Sequence, residues 1–164
     1  MDPYDVTAIT NELFRYAELI DAGRFTEIGE LMEHCTFRYG TQGAPGPAGA
    51  AAIAESYRSS VTIYSDGTPR TRHLTTNPIV EIDGDVARVR SVYTVLQQVE
   101  GSPMQTIITG RYHDTLTRID GRWRFTERTF LVDLVGDLSG HLRFELPRSN
   151  PAADGQPTDK EQQP

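Results

Sequence analysis

The sequence predicts one α+β domain in which three N-terminal helices pack on a curved antiparallel β-sheet. Apolar residues recur at helical spacing in the first 64 residues, and alternating apolar and polar residues dominate from about residue 70 onward. Two Asp-Gly turns separate long alternating segments, a pattern typical of β-hairpins. Helices followed by such a sheet indicate an α+β layout whose two layers enclose a pocket.

Length and charge narrow the classes of function. A chain of 164 residues is expected to form one domain with room for a core or a ligand cavity. A net charge of −7 argues against the basic surface that nucleic acid requires, so no nucleic-acid partner is expected. No apolar run reaches the ~18 residues of a membrane span, and the N-terminus lacks the pattern of a signal peptide. We therefore expect a cytoplasmic protein without a membrane partner.

Three helices follow from the spacing of apolar residues. The first is expected to be capped by Asp5 and to end before Gly23. Its inner face comprises Ile9, Leu13, Tyr16, Ala17 and Ile20. The short second helix presents Phe25, Ile28, Leu31 and Met32. The third covers about residues 49 to 64 and presents Ile53, Tyr57, Val61 and Tyr64.

The remaining segments are read from alternation and turn chemistry. Cys35, Phe37 and Tyr39 alternate as in a strand, and the isolated Cys35 is expected to be a small buried residue. The loop "GTQGAPGPAG" is expected to lack regular structure and to form a flexible flap over the cavity mouth. Its glycine spacing fits no phosphate or dinucleotide motif, and no cofactor is predicted. The domain is expected to span 1–146, and the proline-rich segment 147–164 to be a disordered tail.

Two polar residues are candidates for chemistry, each with a structural alternative. Asp21 continues the inner row of the first helix, where an unpaired carboxylate is costly, so it requires a partner or caps the second helix. His73 is either a strand histidine satisfied by backbone or water, or a base whose Nδ1–H is held by Asp21. The residues alone leave both alternatives open.

Four segments together resemble a known family. They are "YAELID" in the first helix, "FRYG" in the first strand, "TRHLTTN" before the first hairpin and "GRYHDTLTRIDGRWRF" across the last one. Over about residues 5 to 135 the chain resembles the SnoaL-like, or nuclear-transport-factor-2-like, superfamily, and is most similar to the branch with scytalone dehydratase and bile-acid dehydratases. The resemblance implies a cone-shaped fold.

The resemblance also implies roles for individual residues. In those dehydratases an Asp late in helix 1 pairs with a His at the start of the sheet, and these positions fall on Asp21 and His73. Two cavity tyrosines of the family match Tyr16 and Tyr39. The strand parity that the resemblance implies directs Ile108, Gly110 and Tyr112 into the cavity and His113 away from it. Where scytalone dehydratase has a second cavity histidine, the matching strand offers Thr94 and Leu96, so a different substrate is expected.

The other candidates receive structural interpretations. His34 lies beside Cys35 without further ligands near in sequence, and His141 lies near the tail, so no metal site is predicted. Arg128 is expected to be a surface charge on a half-exposed strand, with an anion contact as the lesser alternative.

These features predict a cofactor-independent lyase or isomerase acting on a hydroxylated, carbonyl-bearing hydrophobic molecule such as a polyketide or steroid-like ring. His73 would remove the proton, Asp21 would orient the imidazole, and Tyr16 or Tyr39 would hydrogen-bond the enolate oxygen, with Tyr112 also lining the site. The alternative is a non-catalytic binding domain or a structural subunit like the small subunit of ring-hydroxylating dioxygenases. A homo-oligomer, dimer or trimer, is expected in either case.

Overall fold

The structure is a computed structural model and describes residues 3–146. This part of the chain forms three helices and one six-stranded sheet. The helices are α1 (Pro3–Asp21), α2 (Phe25–Leu31) and α3 (Ala50–Ser60). The strands are β1 (Thr36–Tyr39), β2 (Ala44–Ala48), β3 (Thr71–Asp83), β4 (Val86–Gln97), β5 (Gln105–Ile119) and β6 (Arg122–Val135). Their order in the sheet is β2-β1-β6-β5-β4-β3, and only β1 and β6 run parallel. The predicted α+β class is confirmed. The predicted tail lies outside the described residues.

Helix α1 buries the predicted face but begins before the predicted cap. Its inner residues are between 0% and 8% exposed and comprise Ile9, Leu13, Tyr16, Ala17 and Ile20. The helix starts at Pro3, so Asp5 lies inside its first turn. The Asp5 carboxylate accepts hydrogen bonds from Trp123 Nε1 at 3.0 Å and Arg118 Nη2 at 2.8 Å. Asp5 therefore ties α1 to the β5–β6 hairpin.

Helix α3 is shorter than the predicted range of residues 49 to 64. It ends at Ser60, where Val61, Thr62 and Ile63 follow. Side chains branched at Cβ lose rotamer freedom in a helix, which explains the end at this point. Val61 instead forms an isolated antiparallel bridge with Leu142. The chain after α3 is thereby joined to residues 136–146, called here the C-terminal segment.

The prediction of an irregular loop is wrong for residues 44–48, which form the edge strand β2 and pair antiparallel with β1. Pro45 and Pro47 are tolerated because an edge strand does not need every N–H for pairing. A Cβ at Gly46 would lie 2.6 Å from Tyr39 Cε2. The glycine is therefore required for β2 to lie against the Tyr39 ring.

Both predicted hairpins are present, β3 with β4 and β5 with β6. Asp120 and Gly121 have φ of 49° and 76°, the positive pair that a two-residue turn between twisted strands requires. Register shifts interrupt the β3–β4, β4–β5 and β5–β6 pairings. Such bulges bend the strands, and the curved sheet wraps around the helical layer.

Arg128 is buried in the core and is not the surface charge that the sequence suggested. It is 0% exposed and donates two hydrogen bonds to Asp114, at 2.7 and 2.8 Å. Its guanidinium lies 4.3 and 4.2 Å from the ring centroids of Tyr16 and Tyr112. Burial opposes the charge, but the Asp114 carboxylate outweighs it and raises the pKa of Arg128. The core therefore holds a permanent cation beneath two tyrosine rings.

We expect Asp114→Asn to lower the free energy of unfolding by about 3–5 kcal/mol, because it leaves the Arg128 charge buried without its counterion. A matched control lies on the same two strands, where Arg111 also binds Asp133 through two guanidinium nitrogens but is 47% exposed. Asp133→Asn should cost less than about 1 kcal/mol. Urea unfolding measures both, and equal losses would contradict the assignment.

Candidate functional site

Asp21 and His73 meet where the end of α1 lies over the start of β3. Asp21 is the last residue of α1, and His73 is the third residue of β3. His73 Nδ1 lies 2.6 Å from Asp21 Oδ1, and the backbone N–H of His73 donates to Asp21 Oδ2 at 2.8 Å. The hydroxyl of Thr71 donates to Oδ1 at 2.8 Å. The two side chains are only 6% and 12% exposed, His73 and Asp21 respectively.

This geometry excludes the alternative in which Asp21 caps the second helix. The N-cap of α2 is Arg24, which makes no side-chain capping hydrogen bond. The Asp21 oxygens are instead directed at β3. The alternative for His73, a histidine satisfied by backbone or water, does not describe a ring nitrogen bound to a carboxylate. The structure therefore brings together the two residues that the sequence placed in one candidate pair.

The Asp21 carboxyl is held in its charged form. Burial alone would raise its pKa, but the hydrogen bonds and charge of His73 and the hydroxyl of Thr71 lower the pKa below its ordinary value. A carboxylate accepts hydrogen bonds only, so the neutral His73 ring carries its proton on Nδ1. The Nε2 lone pair on the opposite side of the ring is then free to accept a proton.

His73 lines a cavity of about 190 Å³ between the helices and the inner face of the sheet. Its walls are mostly aromatic and aliphatic and come from α1, α3, the central strands and the C-terminal segment. A larger groove of about 740 Å³ runs along the ends of β3 and β4, where Asp66, Arg72, Gln98 and Glu100 are exposed. The smaller cavity is the better candidate site because a mostly apolar lining with a few polar groups is typical of ligand pockets.

A pair of phenols lies in the same cavity. The hydroxyls of Tyr16 and Tyr57 are 2.7 Å apart, and both side chains line the cavity. Burial raises the pKa of both tyrosines, with Arg128 opposing the shift. Both groups are therefore neutral hydrogen-bond donors. Sequence reasoning assigned Tyr57 only to a helix face and missed its part in the site.

The other predicted tyrosines also line the cavity, but in different places. Tyr112 is 3% exposed and stacks on Tyr93, with ring centroids 4.4 Å apart. Tyr39 is 42% exposed and stacks on Phe130 at the rim. A Cβ at Gly110 would lie 2.6 Å from the Tyr93 hydroxyl. The predicted inward position of Gly110 therefore makes space for a tyrosine ring from the neighbouring strand.

The sequence interpretation assigned the wrong face of β4 to the cavity. Tyr93 and Val95 line it, whereas Thr94 bonds to Thr109 between strands and Leu96 borders the open groove. The place where the resemblance led us to expect a threonine or leucine is therefore aromatic and aliphatic. Alternation along β4 could have revealed this, because Val89, Tyr93 and Val95 share one parity.

His141 is a cavity residue that sequence reasoning set aside because of its position near the tail. It is 6% exposed, and its ring centroid lies 6.5 Å from that of His73. Burial and the charge of His73 lower the pKa of His141 to about 4, against the opposing effect of Asp21. The C-terminal segment carrying it has no helical or strand period, so no sequence pattern indicated its direction.

The remaining histidines and the cysteine lie elsewhere. His113 is exposed on β5, as expected, and His34 is 43% exposed at the end of α2. Cys35 is 1% exposed, and burial raises the pKa of its thiol to about 12, which confirms a small buried residue. Within residues 3–146 no three His, Cys, Asp or Glu side chains are grouped as metal ligands. The lack of a metal stays a prediction.

The fold and the cavity define the class of protein: an α+β cone with a mostly apolar pocket between its helices and its sheet. The SnoaL-like domain family matches residues 4–129, and the chain belongs to that family. No curated protein matches the sequence. No helix in the described part of the chain is long and apolar enough to cross a membrane.

Solved structures give the same fold. A protein of unknown function from Mycobacterium tuberculosis is 26% identical, with a TM-score of 0.65, 80% of this chain covered and 73% of the other. A protein provisionally named a scytalone dehydratase, from Novosphingobium aromaticivorans, is 22% identical, with a TM-score of 0.68 and coverages of 93% and 95%. The beta subunit of a provisionally named aromatic-ring-hydroxylating dioxygenase from the same organism is 18% identical, with a TM-score of 0.64 and coverages of 79% and 90%.

The buried His141 predicts a defined pH dependence of stability. In the unfolded chain its imidazole binds a proton near pH 6.5, whereas the folded ring stays neutral down to about pH 4. The stability of the wild type relative to His141→Gln should therefore be full above pH 6.5 and fall by about 3 kcal/mol as the pH approaches 4. Urea unfolding at several pH values measures this difference. A difference that stays constant with pH would contradict the prediction, and His113→Gln is the exposed control.

Proposed function

We propose that this protein is a cofactor-independent lyase or isomerase that removes a proton next to a carbonyl group of a hydroxylated hydrophobic ring compound. The single observation that carries the proposal is the 2.6 Å contact between Asp21 and His73 at the wall of an apolar cavity. A histidine held by a carboxylate beside an apolar cavity is suited to transfer a proton to or from a bound molecule.

His73 is the proposed general base. The Asp21 carboxylate fixes the ring tautomer and stabilises the imidazolium that forms when Nε2 takes a proton. Asp21 is itself fixed by Thr71 and by the backbone of His73, so the ring has one orientation. Such positioning supports general-base catalysis, whose contribution is typically about 10²–10⁴-fold.

Tyr16 and Tyr57 are the proposed donors to the enolate oxygen. Their hydroxyls form a pair, so one donates to the other and the second proton remains available to a ligand. The buried guanidinium of Arg128 lies 4.3 Å from the Tyr16 ring centroid and favours negative charge nearby. Tyr39 is less suited to this role because it lies exposed at the rim.

The reaction balances without a redox partner. His73 takes the proton from the carbon beside the carbonyl, and the electron pair of the broken C–H bond forms the enolate. When a hydroxyl lies on the next carbon, the enolate expels it, and the imidazolium returns the proton to the departing oxygen as water. Without such a leaving group the imidazolium returns the proton to the same carbon, which gives exchange, or to another carbon of a conjugated enolate, which gives isomerisation.

Cavity size narrows the proposed substrate. A volume of about 190 Å³ is below the range of about 300–1,000 Å³ that is usual for drug-sized ligands. One or two fused rings of the polyketide type suit this space better than the four rings of a steroid. None of the described residues that line the cavity carries a permanent charge, which favours an uncharged ligand.

The rival function is a non-catalytic subunit, as suggested by the likeness to the dioxygenase beta subunit. At 18% identity that likeness extends to the fold alone. A structural subunit gives no reason to hold a histidine by a carboxylate against a cavity. We therefore favour the enzyme.

The base is tested with 1-tetralone, a two-ring ketone, by following exchange of its C2 protons in D₂O by NMR. We expect the wild type to accelerate exchange and His73→Gln or Asp21→Asn to reduce the enzymatic rate by at least about 10²-fold, because each removes part of the base. His113→Gln is the matched control and should keep the wild-type rate. Dehydration of 3-hydroxy-1-tetralone to 1-naphthol, followed by absorbance, tests the lyase reaction.

Wild-type protein that leaves both ketones at their rates in buffer would contradict the proposed function and favour the binding subunit. Full activity in His73→Gln would show that another group is the base.

The donor pair gives a separate expectation. Tyr16→Phe should lower kcat for dehydration by about 10²-fold, the usual effect of removing one hydrogen bond to a developing oxyanion. Tyr93→Phe is the control, because the Tyr93 hydroxyl donates to the backbone oxygen of Leu131 instead. Equal losses in the two variants would assign the effect to packing.

A further inference from the structure

We propose that His141 binds a hydroxyl group of the ligand and thereby makes the cavity selective for hydroxylated compounds. The effect of this binding on catalysis rests on the proposed function, but the binding itself does not. The two histidines of the cavity then have separate roles: His73 transfers the proton, and His141 binds the hydroxyl.

The backbone around His141 is fixed from several sides. The N–H of Thr62 donates to the His141 oxygen at 2.8 Å, and the N–H of Arg143 donates to the Ser60 oxygen at 2.9 Å. The Gly140 oxygen accepts from the Tyr64 hydroxyl at 2.6 Å and from Gln97 Nε2 at 3.0 Å. His141 is therefore held in place by the loop after α3 and by β4, although it lies outside regular structure.

The His141 ring, in contrast, has no hydrogen-bond partner among residues 3–146. Its Nδ1 is buried and unpaired, and Nε2 makes no hydrogen bond to these residues either. Buried polar groups are nearly always paired, since leaving one unpaired is unfavourable. A rigidly placed, unpaired imidazole at a cavity wall is therefore best explained by a ligand that supplies the partner.

A hydroxyl group matches this site. The ring is neutral at physiological pH, because burial and the charge of His73 lower its pKa to about 4 while Asp21 opposes the shift. A neutral imidazole offers one donor and one acceptor, and a hydroxyl has both capacities. Being neutral, His141 orients the hydroxyl but does not protonate it. The proton for a departing hydroxyl comes from His73.

The spacing of the two rings is suited to one small ligand. Their centroids are 6.5 Å apart, the distance of neighbouring rings, and both rings line the cavity, so one small ligand can contact both. A C–H bond can then lie against His73 while a hydroxyl on a neighbouring carbon lies against His141. The adjoining walls include Val61, Val95 and Leu138, whose side chains form no hydrogen bonds. The Ser60 hydroxyl nearby is already bonded to the Ser56 oxygen.

The binding test compares 2-tetralol with tetralin, which differ only in a hydroxyl at the position of the departing group of 3-hydroxy-1-tetralone. Amide NMR titrations give the dissociation constants for the wild type, His141→Phe and His141→Gln. We expect the wild type to prefer 2-tetralol by about tenfold and His141→Phe to lose that preference while still binding tetralin. Glutamine can still hydrogen-bond, so His141→Gln should retain part of the preference. His113→Phe controls for a surface change, and thermal unfolding checks that each variant is folded.

An undiminished preference in His141→Phe would overturn the proposal, as would a wild type that binds both compounds equally or neither. If one variant does not fold, the other still tests the proposal, because a different degree of preference is expected for each.

The catalytic readout separates this inference from the proposed function. His141→Phe should raise KM for 3-hydroxy-1-tetralone at least about fivefold more than it raises KM for proton exchange of 1-tetralone, because only the first compound carries the hydroxyl. An equal loss in both reactions would assign His141 to general packing of the site. Failure of exchange in the wild type, with the preference for 2-tetralol intact, would refute the base and leave the hydroxyl site standing.

Discussion

The arrangement of the cavity depends on the hydrogen bonds that the Asp21 carboxylate accepts. The carboxylate stands at the C-terminal end of α1, where the helix dipole disfavours negative charge. It is retained there because the β3 backbone N–H, a hydroxyl and an imidazole converge on its two oxygens. The same three hydrogen bonds fix the end of the helix over the first residues of β3. A locally unfavourable position of a charged group that other contacts offset is typical of functional sites.

A second charged pair lies behind the part of the cavity wall that Tyr16 and Tyr112 form. Arg128 and Asp114 form a buried ion pair in the core. The sheet thereby holds a cation under the tyrosine rings, but both charges have to be buried. An apolar pair of similar volume would often be as stable, so stability alone does not explain why the charges are there. Their place directly beneath Tyr16 and Tyr112 gives the phenols a positive neighbour without making them ionise. The wall thus favours bound oxygen atoms that carry partial negative charge.

The sequence predicted the parts of the structure that obey a local period. The inner face of α1, both hairpins and the position of Asp21 all follow from spacings of 3.6 or two residues. The resemblance supplied the link between Asp21 and His73, which lie 52 residues apart and which no local rule connects. Prediction failed where tertiary contacts decide. β2 is a strand because β1 offers a free edge, and Arg128 is buried because Asp114 pairs with it across two strands. His141 was missed since only backbone contacts from distant segments direct it into the cavity.

The central claim is that Asp21 holds His73 with a free Nε2 facing the cavity. Long-range ¹H–¹⁵N NMR of the His73 ring tests it directly, because the nitrogen chemical shifts report which ring atom carries the proton. We predict the Nδ1–H tautomer for the neutral ring in the wild type and a loss of that preference in Asp21→Asn. A neutral ring protonated on Nε2, or a tautomer that the substitution leaves unchanged, would contradict the account.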